Sequence, residues 1–187
     1  MSQSRNTFIR SMHDLGAAAW FGGSLAGAIG INGAASDIDD PAERAKIAAN
    51  GWARWSPVNA AAIGTHALGG LGLILANRGR VQDQAGVTSN TVVKTVITGL
   101  AMASTAYSGI LGSRIAAADD ASSAGATNPG EETPSDVATA QRQLNMLQWV
   151  TPALTALIVV LGAQQGEQQR PKEQKAGKVK KALQRTS

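Results

Sequence analysis

Four stretches of the chain contain no Asp, Glu, Lys or Arg, and each is between 19 and 24 residues long. An α-helix rises 1.5 Å per residue, so about 20 predominantly apolar residues cross the hydrocarbon core of a bilayer. Every backbone N–H and C=O group must be paired inside lipid, which favours helices as the spanning elements. The sequence therefore predicts an all-α, four-helix transmembrane bundle with spans at about 15–36, 56–77, 95–113 and 143–166.

The charged residues are confined to the stretches between and after these spans. They make up 16% of the chain, compared with about 25% in ordinary globular proteins. This segregation predicts a transmembrane domain over residues 1–166 and a disordered basic tail over residues 167–187. The chain contains no cysteine, which excludes disulfides, thiolate metal sites and iron–sulfur clusters.

The distribution of Lys and Arg predicts the orientation of the bundle. With the N-terminus inside, twelve of the 17 basic residues lie on the inner side and five on the outer side. Cytoplasmic loops carry the excess of positive charge in membrane proteins. We therefore expect a multi-pass protein of the cell membrane with both termini in the cytoplasm.

A cleaved signal peptide is the alternative explanation of the first span. Arg5 and Arg10 precede an apolar stretch, and small residues follow it at 33–35. This order is typical of secretory signals. The uncharged run is longer than the apolar core of a signal peptide, and this length favours an uncleaved first helix.

The two outer loops differ in composition. Asp40, Pro41 and Glu43 form a helix start, which predicts a short amphipathic outer helix over residues 41–49 that ends near Asn50. The second loop, at about 115–135, is rich in Ala, Ser, Gly, Asp and Glu, and this composition indicates a mobile, solvated segment.

Small residues within the spans indicate where helices can approach closely. Lipid is as apolar as Leu, so close packing, rather than burial, drives helix association there. Gly23 and Gly27 form a GxxxG pair, which serves either as a homodimer face or as an intramolecular contact. With four spans in one chain, we favour the intramolecular contact. The predicted helix-packing residues are Gly22, Gly23, Gly27, Gly30, Gly64 and Gly69.

The two histidines are the candidates for chemistry. Counted from Ser56 at helical rise, His66 lies about 15 Å deep, near the bilayer midplane. It could relay protons or bind haem or a metal, but a neutral ring bonded to a hydroxyl or carbonyl of another helix is the favoured interpretation. His13 lies beside Asp14 at the predicted inner face. The two differ in predicted depth by about 15 Å, which argues against a shared bis-His haem site.

The first span resembles a known family motif in the segment 13–23, HDLGAAAWFGG. A His followed about seven residues later by Trp and a Gly pair is similar to the opening helix of copper-resistance CopD-like and HemJ-like membrane proteins. In the HemJ-like family the corresponding His is associated with haem, which would implicate His13. No second matching motif accompanies this segment, so haem and copper binding are not carried over. As a whole the chain resembles small four-span membrane proteins of actinobacteria, a resemblance that implies topology alone.

The basic tail and the absence of catalytic motifs complete the predictions. Without the tail the chain is slightly acidic, which argues against nucleic-acid binding. We expect the tail to contact anionic lipid headgroups, each basic residue contributing about 1 kcal/mol. The tail residues concerned are Lys172, Lys175, Lys178, Lys180 and Lys181.

The leading hypothesis for the function is a structural or accessory component of a membrane complex, without enzymatic activity or a cofactor. The alternative is a haem- or metal-binding redox or transport protein using His66, with or without His13.

Overall fold

A computed structural model of the chain describes residues 6–76, 87–118 and 123–167. These residues are almost entirely helical, apart from turns and one isolated β-bridge between Ser123 and Pro129, which confirms the predicted all-α class. In chain order the elements are α1 (Thr7–Ala26), a π-helical turn (Gly27–Ile31), α2 (Asn32–Ser36), α3 (Pro41–Ala76), α4 (Val87–Ala116) and α5 (Ser135–Glu167).

Three helices of the described chain are long and apolar enough to cross a membrane. They are α3, the Ser89–Ala116 part of α4, and α5. The first predicted span, 15–36, is helical too, but the π-helical turn divides it into α1 and α2. The three long helices therefore fit a multi-pass membrane protein. The first segment differs from them because the π-helical turn interrupts it.

Helix α3 begins where the sequence predicts and ends much later. Asp40 caps its start, because its Oδ1 accepts a hydrogen bond of 3.0 Å from the backbone N–H of Ala42. The prediction of a separate outer helix over 41–49 is wrong, since α3 continues through Asn50 and Gly51 to Ala76. Gly51 does not break the helix; it allows a close contact, because a Cβ there would lie 2.8 Å from Cγ2 of Ile31.

The helices form two closely packed pairs. Helix α1 packs along α3, α4 packs along α5, and α1 also contacts α5, whereas α3 and α4 make few contacts with each other. Ala17 and Trp20 of α1 meet Ala101 of α4 and Ile158 of α5 in a buried apolar cluster. The two pairs are therefore joined through α1 and stay apart between α3 and α4.

The helices expose apolar side chains and bury polar ones. Leu68 and Val160 are 63% and 62% exposed, while His66 and Thr155 are 3% and 0% exposed. In water this arrangement would expose a large apolar surface to the solvent, whereas in a bilayer the lipid covers that surface.

The described part of the second outer loop is packed and not solvated as predicted. Ser123 is 1% exposed and Thr127 is 4% exposed. Arg44 of α3 donates hydrogen bonds to the carbonyls of Ser123 and Ala124. The composition predicts a mobile loop, but amide side chains of α5 hold it by hydrogen bonds to the side chains of Ser123, Thr127 and Asn128 and to the carbonyl of Gly125. The predicted disordered tail lies outside the described residues, apart from Glu167 at the end of α5.

Candidate functional site

The backbones of α1 and α3 are in direct contact at two glycines. A Cβ added to Gly16 would lie 2.6 Å from both the carbonyl oxygen of Ala62 and the backbone nitrogen of His66. A Cβ at Gly69 would lie 2.5 Å from the backbone nitrogen of His13. Only glycine fits at such distances, so this crossing fixes the antiparallel register of the two helices.

This register brings the two histidines together. The ring centroids of His13 and His66 are 4.2 Å apart with a 37° angle between the ring planes. The prediction that they lie about 15 Å apart in depth is therefore wrong. It took the ends of the uncharged stretches as the two membrane faces, whereas α1 already begins at Thr7 and passes His13 in its second turn.

Each histidine makes one hydrogen bond through its Nδ1 atom. His66 Nδ1 donates to the backbone carbonyl of His13 at 2.9 Å, so this nitrogen carries a proton. The His13 Nδ1 atom is 2.7 Å from Oδ1 of Asp14. The favoured interpretation of His66 predicts a hydrogen bond to a hydroxyl or a carbonyl of another helix, and the carbonyl of His13 is such a partner. The bond ties α3 to the backbone of α1, in a region where water does not compete for it.

Hydroxyl groups of α4 and α5 bond to Trp20 or to each other and make no hydrogen bond to His13 or His66 among the described residues. The fully buried Trp20 presents its ring edge to His66, with centroids 6.2 Å apart, and donates from Nε1 to Thr105 Oγ1 at 3.1 Å. Ser104 of α4 and Thr151 of α5 share a buried hydrogen bond of 2.7 Å. The hydroxyl groups of Ser24, Ser104, Thr105, Thr151 and Thr155 thus bond to one another, to Trp20 or to carbonyls of their own helices.

The stacked rings do not fit a bis-His haem site. Two axial imidazoles bind on opposite faces of a porphyrin, so the iron and the macrocycle must lie between them. Rings whose centroids are 4.2 Å apart leave no space for a porphyrin. Within residues 6–76, 87–118 and 123–167, no three His, Asp or Glu side chains cluster so as to hold a metal ion.

Lys94 of α4 is buried, although it directly precedes the predicted third span, 95–113. It is 6% exposed, and its Nζ lies 3.5 Å from Oε1 of Gln165 in α5. Asp14 and Arg10 are the charged groups that act on it electrostatically, in opposite senses. One turn before it, Asn90 donates to Gln164 at 2.8 Å. The sequence signal for this contact is the pair of glutamines at 164–165, at the C-terminal end of the predicted span 143–166.

The predicted helix-packing glycines divide into two groups. The first group makes close contacts within the chain. Gly69 lies against the backbone of His13, Gly23 against the indole of Trp55, and Gly27 against the indole of Trp52. By contrast, a Cβ added to Gly22, Gly30 or Gly64 would meet no atom within 4 Å. Both glycines of the GxxxG pair are therefore covered by indoles of the same chain.

Side-chain amides hold the end of the bundle at which the 123–134 loop lies. Asn32 accepts a hydrogen bond from Trp52 Nε1 and donates one to Gln148, both at 2.8 Å. Gln141, 0% exposed, donates to Ser123 Oγ at 2.9 Å, and Asn145 donates to Asn128 at 2.7 Å. Gln141, Asn145 and Gln148 follow helical spacing on α5, a pattern in the sequence that indicates an interior polar face.

A cavity of about 400 Å³ lies beneath this layer of amides, among α1, α3, α4 and α5. Its lining is mainly apolar, and none of the described residues that line it is charged. Two buried polar atoms of lining residues lack a hydrogen-bond partner among the described residues: Nε1 of Trp55 and Oδ1 of Asn59. No local pattern in the sequence predicts this cavity.

Comparison of the chain with protein-family models, with curated protein sequences and with solved structures finds no match.

Proposed function

We propose that the protein is a four-span integral membrane protein of the cell membrane, with both termini in the cytoplasm, that serves as a non-enzymatic structural or accessory component of a membrane complex. The observation that supports this most is the inverted distribution of polarity. Apolar side chains such as Leu68 and Val160 face outwards, while His66, Ser104 and Thr151 are buried and hydrogen-bonded to neighbouring helices. In a bilayer such interior bonds hold helices together.

The use of the interior polar groups supports a structural role over catalysis. His66 bonds to a backbone carbonyl, Trp20 bonds to Thr105, and Ser104 bonds to Thr151. A general base or nucleophile needs a partner positioned next to a space that a substrate can enter. These groups instead join α1 to α3, α1 to α4, and α4 to α5.

The proposed topology can be tested with single cysteines, because the chain has none of its own. Four variants are made: Ser2→Cys, Asp39→Cys, Glu131→Cys and Ser187→Cys. In intact cells a membrane-impermeant maleimide should label positions 39 and 131, whereas positions 2 and 187 should be labelled after permeabilisation alone. Labelling of positions 2 and 39 from the same side would contradict a first span.

The accessory role is tested separately by photo-crosslinking. A photoreactive amino acid replaces Gly64 or Gly30, where the bundle leaves open space, and Gly69 serves as the internal control position. A defined crosslink to one membrane protein from positions 64 or 30 would support the proposal. Crosslinks to lipid alone at both positions would contradict it.

Haem or metal binding is the second candidate, and the contact between His13 and His66 is the observation that favours it. Neither Nε2 atom makes a hydrogen bond to a described residue, so a single imidazole remains available as a ligand. The test is a visible absorption spectrum with metal analysis of the purified protein. A Soret band or a stoichiometric metal that disappears in His66→Ala would replace the structural proposal with this one.

A further inference from the structure

The cavity in the outer half of the bundle is open on one side. Lining residues of α3 and α4, including Ser56, Gly109 and Ser113, are exposed, whereas Ser24 of α1 and Thr151 of α5 are buried. Helices α3 and α4 hardly touch each other, while α1 and α5 are packed together behind the cavity. The opening therefore lies between α3 and α4, on the side that faces lipid if these helices span the membrane.

The same cavity is covered towards the outer aqueous phase. Ala126, which is 5% exposed, lines it from the second outer loop, and Asn32 and Gln148 join α1 to α5 at that end. Gln141 holds the loop through Ser123 Oγ and the carbonyl of Gly125. A molecule dissolved in the bilayer thus has a shorter route into the cavity than a solute arriving from water.

The volume of the cavity limits the occupant to a small molecule. At about 400 Å³ it falls within the range of about 300–1,000 Å³ that is typical of ligand pockets. A transmembrane helix of a partner, with a diameter of about 10 Å including side chains, does not fit into it. Alanines at 45, 49 and 53 and glycines at 109 and 112 give the cavity its width, because their side chains are small or absent.

The polar groups of the lining indicate the head group of the occupant. Trp55 Nε1 is a donor and Asn59 Oδ1 is an acceptor, and both are buried without a partner. The two residues are four positions apart on α3, so they lie on the same face of the helix one turn apart. One hydroxyl group can accept from the indole and donate to the amide oxygen. With no charged residue among the described lining, an ionised head group would lack a counter-charge.

We propose that this cavity binds a neutral amphiphile with an aliphatic body and a single hydroxyl-type head group, which enters from the bilayer between α3 and α4. The head group completes the hydrogen bonds of Trp55 and Asn59, whose side chains turn towards it, and the aliphatic body lies along the small residues of α3 and α4. The inference requires that α3 and α4 face lipid, but it does not depend on the accessory role.

The test uses heavy-atom quenching of tryptophan fluorescence, because Trp52 and Trp55 both line the cavity. The full chain carries Trp149→Phe, which removes an indole that is 51% exposed to the surroundings. It is reconstituted in phosphatidylcholine nanodiscs and titrated with 2-bromoundecan-1-ol, whose bromine lies next to the hydroxyl group, or with 2-bromoundecane. We expect the alcohol to quench at a mole fraction about fivefold lower than the bromoalkane, because its hydroxyl group makes hydrogen bonds that the bromoalkane cannot make. Equal quenching by the two probes would overturn the proposal in favour of a cleft that holds acyl chains alone.

Two glycines of α4 provide a matched pair of variants. A Cβ at Gly112 or at Gly99 meets no atom within 4 Å, but only Gly112 lines the cavity. Gly112→Leu should abolish the preference for the alcohol and Gly99→Leu should retain it. Gly109→Leu replaces Gly112→Leu if that variant is not monodisperse in gel filtration. An unchanged preference in the cavity-filling variant, or equal losses at positions 99 and 112, would contradict the location.

A variant of the polar pair tests the recognition itself. Asn59→Leu should raise the mole fraction of alcohol needed for quenching towards that of the bromoalkane, because only the bond to Trp55 remains, with no change in the bromoalkane titration. If the alcohol preference is undiminished in Asn59→Leu, the proposed head-group contact is wrong. If Gly112→Leu instead dissociates a complex with another chain, the opening is a protein interface and the proposal is overturned.

Discussion

The contact between α1 and α3 and the gap between α3 and α4 are both lined by small residues, yet only the first is closed. At Gly16 and Gly69 the two backbones touch, and at Gly23 and Gly27 the indoles of α3 fill the space. All three glycines of α4, at 99, 109 and 112, meet nothing within 4 Å. Small residues therefore permit close approach, but a group on the facing helix decides whether it occurs.

The largest expected effect tests the backbone contact of α1 with α3. Gly69→Val places a branched side chain where the backbone of His13 lies 2.5 Å from the new Cβ, and no flexible side chain can move aside. We expect a loss of at least about 3 kcal/mol in the free energy of unfolding, at the upper end of overpacking effects. Unfolding in mixed micelles followed by circular dichroism measures it. Gly99→Val is the control, and equal losses in the two variants would remove the distinction between closed and open faces.

The second prediction concerns the histidine that ties α3 to α1. His66→Ala removes the bond to the His13 carbonyl and the ring contacts with His13 and Trp20. One interhelical hydrogen bond in a membrane contributes about 0.6–1.7 kcal/mol, and the space left by the ring adds to that loss. We expect a loss of about 2 kcal/mol in the same unfolding assay. Leu68→Ala, at a position 63% exposed, should change stability little, since lipid replaces the lost contacts. Equal losses of unfolding free energy in His66→Ala and Leu68→Ala would mean that the contact of His66 with His13 does not stabilise the fold.

The third prediction addresses the pair α4 and α5. Ser104→Ala removes the 2.7 Å hydrogen bond to Thr151 without changing the shape of the contact. We expect a loss of about 0.6 kcal/mol in the free energy of unfolding, the average for such bonds between transmembrane helices. Ser113→Ala is the matched control, because Ser113 is exposed and bonds to Ile110 of its own helix. A loss in Ser104→Ala no larger than in Ser113→Ala would show that the bond contributes nothing measurable.

The smallest expected effect has the opposite sign. Gly99→Ala adds a methyl group in open space on α4, and alanine loses less conformational entropy than glycine in a helix. We expect the free energy of unfolding to rise by about 0.5 kcal/mol, whereas Gly16→Ala should lower it because its Cβ would lie 2.6 Å from two backbone atoms of α3. The same sign in both variants would contradict the assignment of closed and open glycines.

The parts of the fold that depend on local sequence could be predicted, and the parts that depend on register could not. Charge-free stretches identified the three long apolar helices, and Asp40 with Pro41 identified the start of α3. Gly51 does not end that helix, and its close contact with Ile31 depends on where the π-helical turn lies, which no local sequence pattern shows. The sequence alone does not show whether a glycine ends a helix or allows a neighbouring helix to approach closely.

The histidine site shows the same limit more sharply. Sequence identified both His13 and His66 as candidates, but it placed them apart because it equated the ends of uncharged stretches with membrane faces. Their contact follows from the antiparallel crossing at Gly16 and Gly69, which is a property of two helices together. The cavity beside Trp55 and Asn59 had no local signal, since a gap is defined by what its neighbours leave unfilled.

The π-helical turn at Gly27–Ile31 has a consequence for how the first helical segment tolerates insertions and deletions. A π-helical turn holds about one residue more than an α-helical turn, so removal of one residue from it restores regular winding and leaves the residues beyond it on the same face. Asn32 would stay directed at Trp52 and Gln148, to which it is bonded. A one-residue deletion in the regular part of α1 would instead rotate Asn32 by about 100° relative to the residues before it and break both bonds. The widened turn is therefore the place where this segment can lose one residue without disconnecting that end of the bundle.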